Sequence, residues 1–375
     1  MKLLITDILF PNKYSTWRNE EINYFLKNED TSILIMTMGY IEAYNFDFDY
    51  EFCNREGLLD GYNILIFNPK YNYANVYNKK IDGTKFNGLF NAASYLITKD
   101  TDINLNTFDA IYHIFSDCYF KLNNNFAFPI KKQFLHLYPG GGHNPYDPTL
   151  YNKELHLVCT HPVTSAFAKN NNYSHIDCWT VPLLNESYVY PNRLDFLTKQ
   201  KLTVCFASIG DPVYKGANDY IQISNMYKRK YPKDNVEFIS IGNCEVDSNT
   251  KNYEARNYIS LQKFYSEEVD IYLNLETGIA PNGWPLGLES VIMGCALLTK
   301  DARYSYPKYN IEKESIQVCN TNEDFVEKIR QLYINRFYLY MLSQNNNEFI
   351  NRYISMNNQQ YKIHSFIKDV MARTT

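Results

Sequence analysis

The residues best placed for chemistry follow apolar runs in the second half of the sequence. After the run Leu202–Ala207 comes a loop that contains Gly210 and Asp211 and ends at Lys215. A glycine-containing loop between a strand and a helix offers backbone N–H groups to an anion, and a lysine adds a full positive charge. The loop therefore predicts a phosphate site, although an ordinary loop with a solvated lysine fits the same residues.

A second candidate element follows the run Val269–Leu275. It starts at Glu276, passes through a loop rich in glycine and proline, and leads into a short helix expected from about Leu286. Backbone amides around Gly283–Gly287 can receive a pyrophosphate, and Glu289, expected in the first turn, can accept hydrogen bonds from two ribose hydroxyls. Compensation of the helix dipole would also explain a glutamate in a first turn.

The first half offers histidines. His143 lies in a loop with three consecutive glycines, where it could bind acceptor hydroxyls or handle a proton; a tight crossover with a surface histidine is the alternative. His113 and His161 are expected at strand ends, and His136 is expected in the core. The Asp-x-Asp at Asp47 follows no clear strand, so we do not interpret it as a metal site.

The elements that must position these residues alternate along the chain. Short apolar runs separated by amphipathic segments are typical of parallel sheets covered on both faces by helices. The stretch Asn185–Gln200 interrupts this pattern and predicts a domain boundary. Strands are expected at Lys2–Leu9, Ser32–Met38, Asn63–Phe67, Ala110–Phe115, Gln133–Tyr138, Leu155–Thr160, Cys178–Pro182, Leu202–Ala207, Val236–Ile241, Val269–Leu275, Cys295–Thr299 and Ile316–Cys319. Asn322 is expected to cap a helix, and one or two amphipathic helices are expected after about Glu348.

Composition excludes several classes. With 37 Lys and Arg against 41 Asp and Glu, the chain is not basic enough for a dedicated nucleic-acid binder. The eight cysteines form no CxxC pair, which favours buried free thiols in a cytosolic protein. Asp7 interrupts the first apolar run, so no secretory signal is expected, and no run reaches the length of a membrane span. No dinucleotide fingerprint, zinc motif or nucleophile elbow occurs.

The two elements of the second half, in this order, resemble the C-terminal domain of GT-B glycosyltransferases, in particular the retaining family 4. Lys215-Gly216 matches the end of that family's first donor-domain loop, and Gly283 to Leu297 matches its later E-G-F-G-L-P-x-x-E-A-x-x-x-G-x-P-V signature. Looser similarities extend over most of the chain: Val236–Gly242 resembles the strand before the family's nucleotide-contacting turn, Tyr258–Ser260 the segment whose backbone reads the base, and Asp109 to His113 the family's Asp-x-x-His strand.

The resemblance implies an α/β fold with two Rossmann-like domains facing a central cleft and a C-terminal helix crossing back to the first. Residues 1–190 plus a helix at about 352–375 would bind the acceptor, and residues 195–351 would bind the donor. The implied reaction moves a sugar from a nucleotide-diphosphate donor (UDP- or GDP-sugar) to a glycan, lipid-linked or protein-linked acceptor, with retention and without a metal or other cofactor. The donor-binding residues would be Gly210, Asp211, Lys215, Gly242, Asn243, Ile259, Asn282, Gly283, Trp284, Pro285, Leu286 and Glu289, and the catalytic candidates are His143, His113 and Glu276.

The chain also departs from the family. Pro281 stands where the family has its first signature glutamate, which leaves Glu276 further upstream as a substitute, and the arginine that accompanies the loop lysine is absent from Ser208–Gly210. A nucleotide-sugar epimerase on the same fold and a non-catalytic nucleotide-sugar-binding protein therefore stay open. The expected location is cytoplasmic, free or at the inner face of a membrane, and peripheral contact with a membrane stays open.

Overall fold

The structure is a computed structural model of the 375-residue chain. It describes residues 1–7, 21–22, 24–25, 27–36, 63–68, 73–78, 105–125, 128–137, 147–160, 162–178, 191–208, 212–242, 249–254, 258–275, 284–300, 317–353 and 356–374. The chain folds into two compact units, one formed by residues 1–180 with 357–375 and the other by residues 181–356.

The described part of the first unit contains an eight-stranded sheet in the order β4-β3-β2-β1-β5-β6-β7-β8. Its strands are β1 Lys2–Asp7, β2 Asp30–Met36, β3 Asn63–Asn68, β4 Tyr73–Asn78, β5 Ala110–His113, β6 Gln133–Leu137, β7 His156–Cys159 and β8 His175–Asp177. Neighbours pair in parallel except at the β4 edge, which is antiparallel to β3. Residues 21–28 are helical where described, and the helices α1 Ser116–Asn125 and α2 Pro162–Asn170 follow β5 and β7.

The second unit has a six-stranded sheet in its described residues, in the order β11-β10-β9-β12-β13-β14, and every pair in it is parallel. The strands are β9 Leu202–Ser208, β10 Val236–Gly242, β11 Thr250–Tyr253, β12 Ile271–Asn274, β13 Ala296–Thr299 and β14 Gln317–Val318. The chain moves outward from β9 in one direction and from β12 in the other. The carboxyl ends of the neighbouring strands β9 and β12 therefore form the topological switch point, where open α/β sheets bind ligands.

Six helices and one 3-10 turn surround this sheet in the described residues. They are the 3-10 turn Leu194–Leu197, α3 Pro212–Lys215, α4 Ala217–Lys230, α5 Tyr258–Glu268, α6 Trp284–Ile292, α7 Asn322–Ile334 and α8 Arg336–Tyr353. One core cluster joins the inner faces of β9, β12 and β13 to α4, α7 and α8. Phe206 of β9 stacks on Tyr220 of α4 with ring centroids 5.1 Å apart, which fixes α4 against the first strand of the sheet.

A buried ion network holds residues 193–199, which we call the linker segment, onto the N-terminal edge of this sheet. Arg193 is only 3% exposed and donates to the carbonyl of Val269 at 2.9 Å. The Asp270 carboxylate, fully buried, accepts hydrogen bonds from Arg193 at 3.1 Å, Lys199 at 2.7 Å and the Thr203 backbone N–H at 2.7 Å. Because every partner is satisfied, the charges can be buried without an unpaired group.

The last helix, α9 Met356–Thr374, packs on the first unit from residue 357 onward. Its anchor is Glu29, whose carboxylate receives His364 Nε2 at 2.6 Å, Lys368 Nζ at 2.8 Å and the Met1 amine at 2.8 Å. Burial raises the pKa of Glu29, but the bonds from Lys368, the Met1 amine and His364 outweigh it and lower that pKa to about 2. The ring of Phe366 adds an apolar contact with Phe134 of β6.

The predicted α/β class with two parallel-sheet halves is confirmed. Two local predictions are wrong. The N-cap of α7 is Thr321, not Asn322, because the Thr321 side chain accepts from Asp324 N–H while the Asp324 carboxylate accepts from the Thr321 N–H. The strand expected at Cys178–Pro182 lies earlier in the chain, at His175–Asp177, where it pairs with β7. All six described cysteines are buried and none forms a disulfide.

Candidate functional site

The two loops that the sequence singled out leave neighbouring strands at the switch point of the second sheet. The Lys215 loop follows β9, and the segment leading to Glu289 follows β12, which pairs directly with β9 in parallel. Both therefore emerge from the carboxyl edge of the same sheet. The topology brings the two predicted ligand elements to one place within the second unit.

Gly216 lies in close contact with Leu275, the residue that follows β12. Its φ is +91°, the left-handed conformation that glycine adopts readily, and it is the N-cap of α4. A Cβ on this residue would lie 2.5 Å from the carbonyl oxygen of Leu275. Any side chain here would push the loop away from the end of β12, so glycine is required for Lys215 to sit where it does. Lys215 itself is the last residue of α3 and is partly buried.

Glu289 is buried, with 3% of its surface exposed, in the middle of α6. The helix begins at Trp284 rather than near Leu286, so the expectation that Glu289 lies in the first turn is wrong and it lies in the second. Its negative charge adds to burial in raising the pKa of Tyr265 on α5, which places the carboxylate near that fully buried ring. A carboxylate in the second turn needs more than the helix dipole to explain its burial, because the dipole effect falls off within the first turn.

The end of α6 is fixed by a second required glycine. Gly294 has φ +84°, and a Cβ on it would lie 2.8 Å from Cγ of Arg193. Ser290 donates to the carbonyl of Gly287 at 2.7 Å inside the helix. The helix that carries Glu289 is therefore held at its end by the same arginine that anchors the linker.

Ser208 is a site residue that the sequence did not reveal. It is the last residue of β9, is fully buried, and its Oγ has no hydrogen-bond partner among the described residues. Alternate residues of a strand face the same side, so Ser208 faces the same side as Phe206, which stacks on Tyr220 in the first turn of α4. The hydroxyl is thus directed toward the N-terminal end of α4. A buried hydroxyl without a protein partner is costly and needs an explanation, such as a bound ligand.

Strands β12 and β13 contribute polar groups that bond to each other at this edge. Asn274 of β12 donates to Thr299 Oγ1 of β13 at 3.1 Å. Lys300, just after β13, forms an ion pair with Asp219 in the first turn of α4, and Asn322 donates to the same carboxylate at 3.2 Å. These contacts brace the start of α4.

Only some of the remaining predicted donor residues lie in the part of the chain that the structure describes. Gly242 ends β10 with φ +96° and pairs with Ser208. Ile259 lies in the first turn of α5, and Trp284, Pro285 and Leu286 begin α6. The other predictions fall outside the described residues: Gly210, Asp211, Asn243, Glu276, Asn282, Gly283 and His143.

His113 lies at the end of β5 in the first unit and is fully buried. Its Nδ1 is 2.8 Å from Thr6 Oγ1 and its Nε2 is 2.8 Å from Gln133 Oε1. Burial lowers the pKa of His113 to about 4, against a smaller opposing effect of Gln133. The ring is therefore neutral near pH 7, with both nitrogens bonded within the sheet, which suits a structural histidine better than a proton carrier.

A second buried network lies on the opposite face of the same strands. Tyr112 donates to Glu21, His136 Nδ1 lies 3.3 Å from the same Glu21 oxygen, and His136 Nε2 lies 3.3 Å from Thr160 Oγ1. All four side chains are buried. Burial, reinforced by the charge of Glu21, raises the pKa of Tyr112 well above its usual value. His136 is thus a core residue, as the sequence predicted.

The described residues contain no group of three or more His, Cys, Asp or Glu side chains arranged to hold a metal ion. Of the helices in the described residues, none combines the length and the apolar character needed to cross a bilayer.

No protein-family model and no curated protein matches the sequence. Solved structures do match over almost the whole chain. HepE of Anabaena, in complex with UDP and glucose, is 9% identical with a TM-score of 0.62, covering 98% of this chain and 100% of that one. TarM of S. aureus, in complex with UDP and alpha-GlcNAc-glycerol among other ligands, is 10% identical with a TM-score of 0.62, covering 99% of each chain. A glycosyltransferase of Rickettsia africae is 12% identical with a TM-score of 0.61, covering 99% and 98%. The chain therefore has the GT-B fold.

Proposed function

We propose that the protein is a glycosyltransferase whose second unit binds a nucleotide-diphosphate sugar. The observation that carries the proposal is the meeting of the Lys215 loop and the Glu289 helix at the β9/β12 switch point, in a chain with the GT-B fold. A ligand there would meet a cation, the N-terminal end of α6 and a buried carboxylate within one unit. The glycosyltransferase character of the structural neighbours supports the same reading.

The reaction breaks the bond between the sugar's anomeric carbon and the diphosphate, and forms a bond from that carbon to an acceptor oxygen. The acceptor hydroxyl passes its proton to an oxygen of the departing diphosphate, on which negative charge develops as its bond to the sugar breaks. Lys215 and the backbone amides at the start of α6, near Trp284 to Gly287, would stabilise that charge, which is the largest contribution a transferase site can make. We propose a front-face displacement for this chain, in which the acceptor oxygen approaches from the side that the diphosphate leaves. Such a displacement retains configuration and needs no metal or dedicated base.

Glu289 would bind the ribose of the donor. A carboxylate accepts two hydroxyl hydrogen bonds, and burial strengthens them because little water competes. HepE and TarM were both solved with UDP, so we propose a UDP-sugar first and a GDP-sugar second. His143 and Glu276 stay proposed contacts to acceptor or sugar.

The acceptor would be a glycan or a lipid-linked or protein-linked saccharide bound by the first unit, in polysaccharide or glycan biosynthesis. We propose a cytoplasmic location with peripheral contact to the inner face of a membrane. We assign His113 to the hydrogen-bonded core of the first sheet in this proposal, because both of its nitrogens are engaged there.

The test is donor binding. A thermal-shift screen of the protein against nucleotides and nucleotide sugars should show a rise in Tm with UDP or a UDP-sugar, since a ligand of the folded state stabilises it. Calorimetry of Glu289→Gln should then show affinity weaker by about 1–3 kcal/mol, the range for losing a charged hydrogen-bond partner.

Glu268→Gln is the matched control, because Glu268 is an exposed glutamate at the far end of α5. Equal nucleotide affinity in Glu289→Gln, Glu268→Gln and the unmodified protein would remove the ribose assignment. Binding of no nucleotide at all would remove the proposed function.

A further inference from the structure

Large apolar side chains are exposed at one place on the second unit. Among the described residues, nine large hydrophobic side chains are 38% exposed or more, and five of them belong to three elements, the 3-10 turn, α7 and α8, of which α8 contacts both of the others. We call these five the apolar patch: Leu194 (52%), Leu197 (42%), Ile334 (65%), Phe337 (63%) and Met341 (38%). A concentration of this kind on a protein surface marks an interaction site more often than scattered single residues do.

The patch residues lie at the end of α7, at the start of α8 and on the 3-10 turn. Phe337 and Met341 are four residues apart on α8, so they share one side of that helix, while Leu339 and Leu342 on the other side are in the core. Helix α8 packs against the 3-10 turn that carries Leu194 and Leu197.

The surface around the patch is strongly basic. Three segments meet here, residues 194–201, 228–236 and 327–341, and together they carry nine Lys and Arg against three acidic residues. The whole chain has the opposite balance, 37 against 41. The segments are joined by the Tyr333 hydroxyl, which accepts from Asn235 N–H at 3.1 Å, and by Arg336, which donates to the Gln200 carbonyl at 3.4 Å. Two acids from elsewhere, Asp270 and Glu237, pair with Lys199 and Lys201 and leave a clear positive excess.

Aromatic rings line the basic segments. Arg330 lies 4.8 Å from the ring centroid of Tyr231, and Arg336 lies 4.8 Å from that of Tyr333. Arg336 is next in sequence to Phe337, and one of its guanidinium nitrogens, Nη1, is buried without a hydrogen-bond partner among the described residues. Tyrosine, arginine and lysine around an apolar stripe are the composition of proteins that lie at a membrane interface.

We propose that this face binds the surface of an anionic lipid bilayer. The exposed apolar area is of the order of a few hundred Å², below the roughly 800 Å² per partner of a stable protein interface. It is enough for peripheral insertion when basic side chains add attraction to anionic headgroups. A symmetric contact between two copies would bring the same positive surfaces together, which disfavours self-association.

The position of the face fits this role. It lies at the N-terminal edge of the second sheet, where β9 begins after Lys201, whereas Lys215 and Ser208 lie at the carboxyl edge. Within this unit, docking on a bilayer leaves the proposed donor site uncovered. The inference gives a surface to the peripheral membrane contact proposed above, and it does not depend on the identity of the donor.

The test is co-sedimentation of the full chain with vesicles of phosphatidylcholine alone and with added phosphatidylglycerol. The protein should pellet with the anionic vesicles and stay in solution with the neutral ones. The double variant Ile334→Ser/Phe337→Ser should bind at least about tenfold more weakly, because it removes two inserting side chains. Arg336→Gln should bind a few fold more weakly, and added salt should reduce this difference.

The matched control is Val318→Ser/Tyr361→Ser, which removes two exposed apolar side chains outside the patch and should bind vesicles as the unmodified protein does. Calorimetric UDP affinity and Tm of each variant separate loss of this surface from loss of fold or of the donor site. Failure of the unmodified protein to pellet with anionic vesicles would overturn the proposal. So would equal binding by both double variants, or a dimer in light scattering that Ile334→Ser/Phe337→Ser dissociates.

Discussion

The two sheets of this protein have the same switch-point topology, but two buried polar side chains at their strand ends, His113 in the first sheet and Ser208 in the second, differ in their hydrogen bonds. In the first unit, Thr6, His113 and Gln133 bond to one another across three strands. In the second unit, the hydroxyl of Ser208, the last residue of β9, is buried with no hydrogen-bond partner among the described residues, and Gly216 lies against Leu275, which follows β12.

This difference separates a residue that holds a sheet together from residues that we propose bind the donor. A buried polar group that is fully bonded stabilises the fold and has nothing left to offer a substrate. A buried hydroxyl or a loop lysine beside required glycines costs stability and is retained at functional sites. Substitutions of Thr6, His113 or Gln133 should therefore change stability, whereas substitutions of Ser208 or Lys215 should change donor binding and rate.

The largest expected effect is that of Lys215→Ala. The transfer rate, measured as kcat/KM with a donor that binds, should fall about 100-fold to 1000-fold, or about 3–4 kcal/mol of transition-state stabilisation, because the departing diphosphate loses its cation. Thermal stability should stay within about 0.5 kcal/mol, since Lys215 is a partly exposed side chain.

Lys263→Ala is the control, since Lys263 is an exposed lysine on α5 that forms an ion pair with Glu267 of the same helix. It should leave kcat/KM unchanged. A normal rate in Lys215→Ala would refute the assignment of the leaving-group charge to this lysine.

Much of the fold could be predicted from the sequence because buried parallel strands are nearly continuous apolar runs. Leu202–Ala207 and Val236–Ile241 match β9 and β10 to within one residue at each end. The two edge strands β4 and β11, with the sequences YANVYN and TKNY, were missed. Edge strands are covered on fewer sides and need no apolar run, so their pairing depends on neighbours that the local sequence does not show.

The candidate site was predictable only where a local pattern carries it. Lys215-Gly216 and the glycines around Glu289 mark their loops by residue type and order. Ser208 carries no such signal, because a single serine at a strand end is common and only the fold shows that its hydroxyl is buried without a partner. The bond between Glu21 and His136 joins residues 115 positions apart, and no spacing rule connects them.

The next largest effect tests the first unit by its acidic anchor. Glu29→Gln should lower the free energy of unfolding by up to about 3 kcal/mol near neutral pH, since a pKa lowered from 4.5 to about 2 corresponds to stabilisation of the charged form. The stabilisation is complete above the unfolded pKa near 4.5 and is lost as pH falls toward 2. Urea unfolding of the unmodified protein between pH 7 and pH 3 should show this loss, and Glu29→Gln should show less of it.

Glu327→Gln is a suitable comparison, because Glu327 is 53% exposed and its pairing with Lys230 lies on the surface. It should change stability little. The anchor role of Glu29 would be wrong if the two variants had the same pH profile as the unmodified protein.

His113→Phe should have a smaller effect, about 1–3 kcal/mol of stability, because a ring of similar size keeps the packing while Thr6 and Gln133 lose their shared partner. Below its melting temperature, the variant should bind nucleotide with unchanged affinity and transfer sugar at close to the normal rate. A large loss of rate with normal stability would instead make His113 a substrate contact and would remove the contrast between the two strand ends.

The smallest and most discriminating effect is expected for Ser208→Ala. If the Ser208 hydroxyl bonds a donor phosphate, its removal should weaken nucleotide binding by about 0.5–1.5 kcal/mol, the net value of one hydrogen bond. Stability without ligand should be unchanged or slightly raised, because the substitution deletes a buried hydroxyl that has no partner among the described residues. Calorimetry with UDP and urea unfolding of the free protein measure the two quantities.

Ser224→Ala is the control. Ser224 of α4 is also fully buried, but its hydroxyl accepts a hydrogen bond from Thr250 of β11 at 3.5 Å. Loss of this hydroxyl should therefore lower stability and leave nucleotide affinity unchanged. Lower stability of free Ser208→Ala with no change in UDP affinity would place Ser208 with His113, among the residues that hold a sheet together.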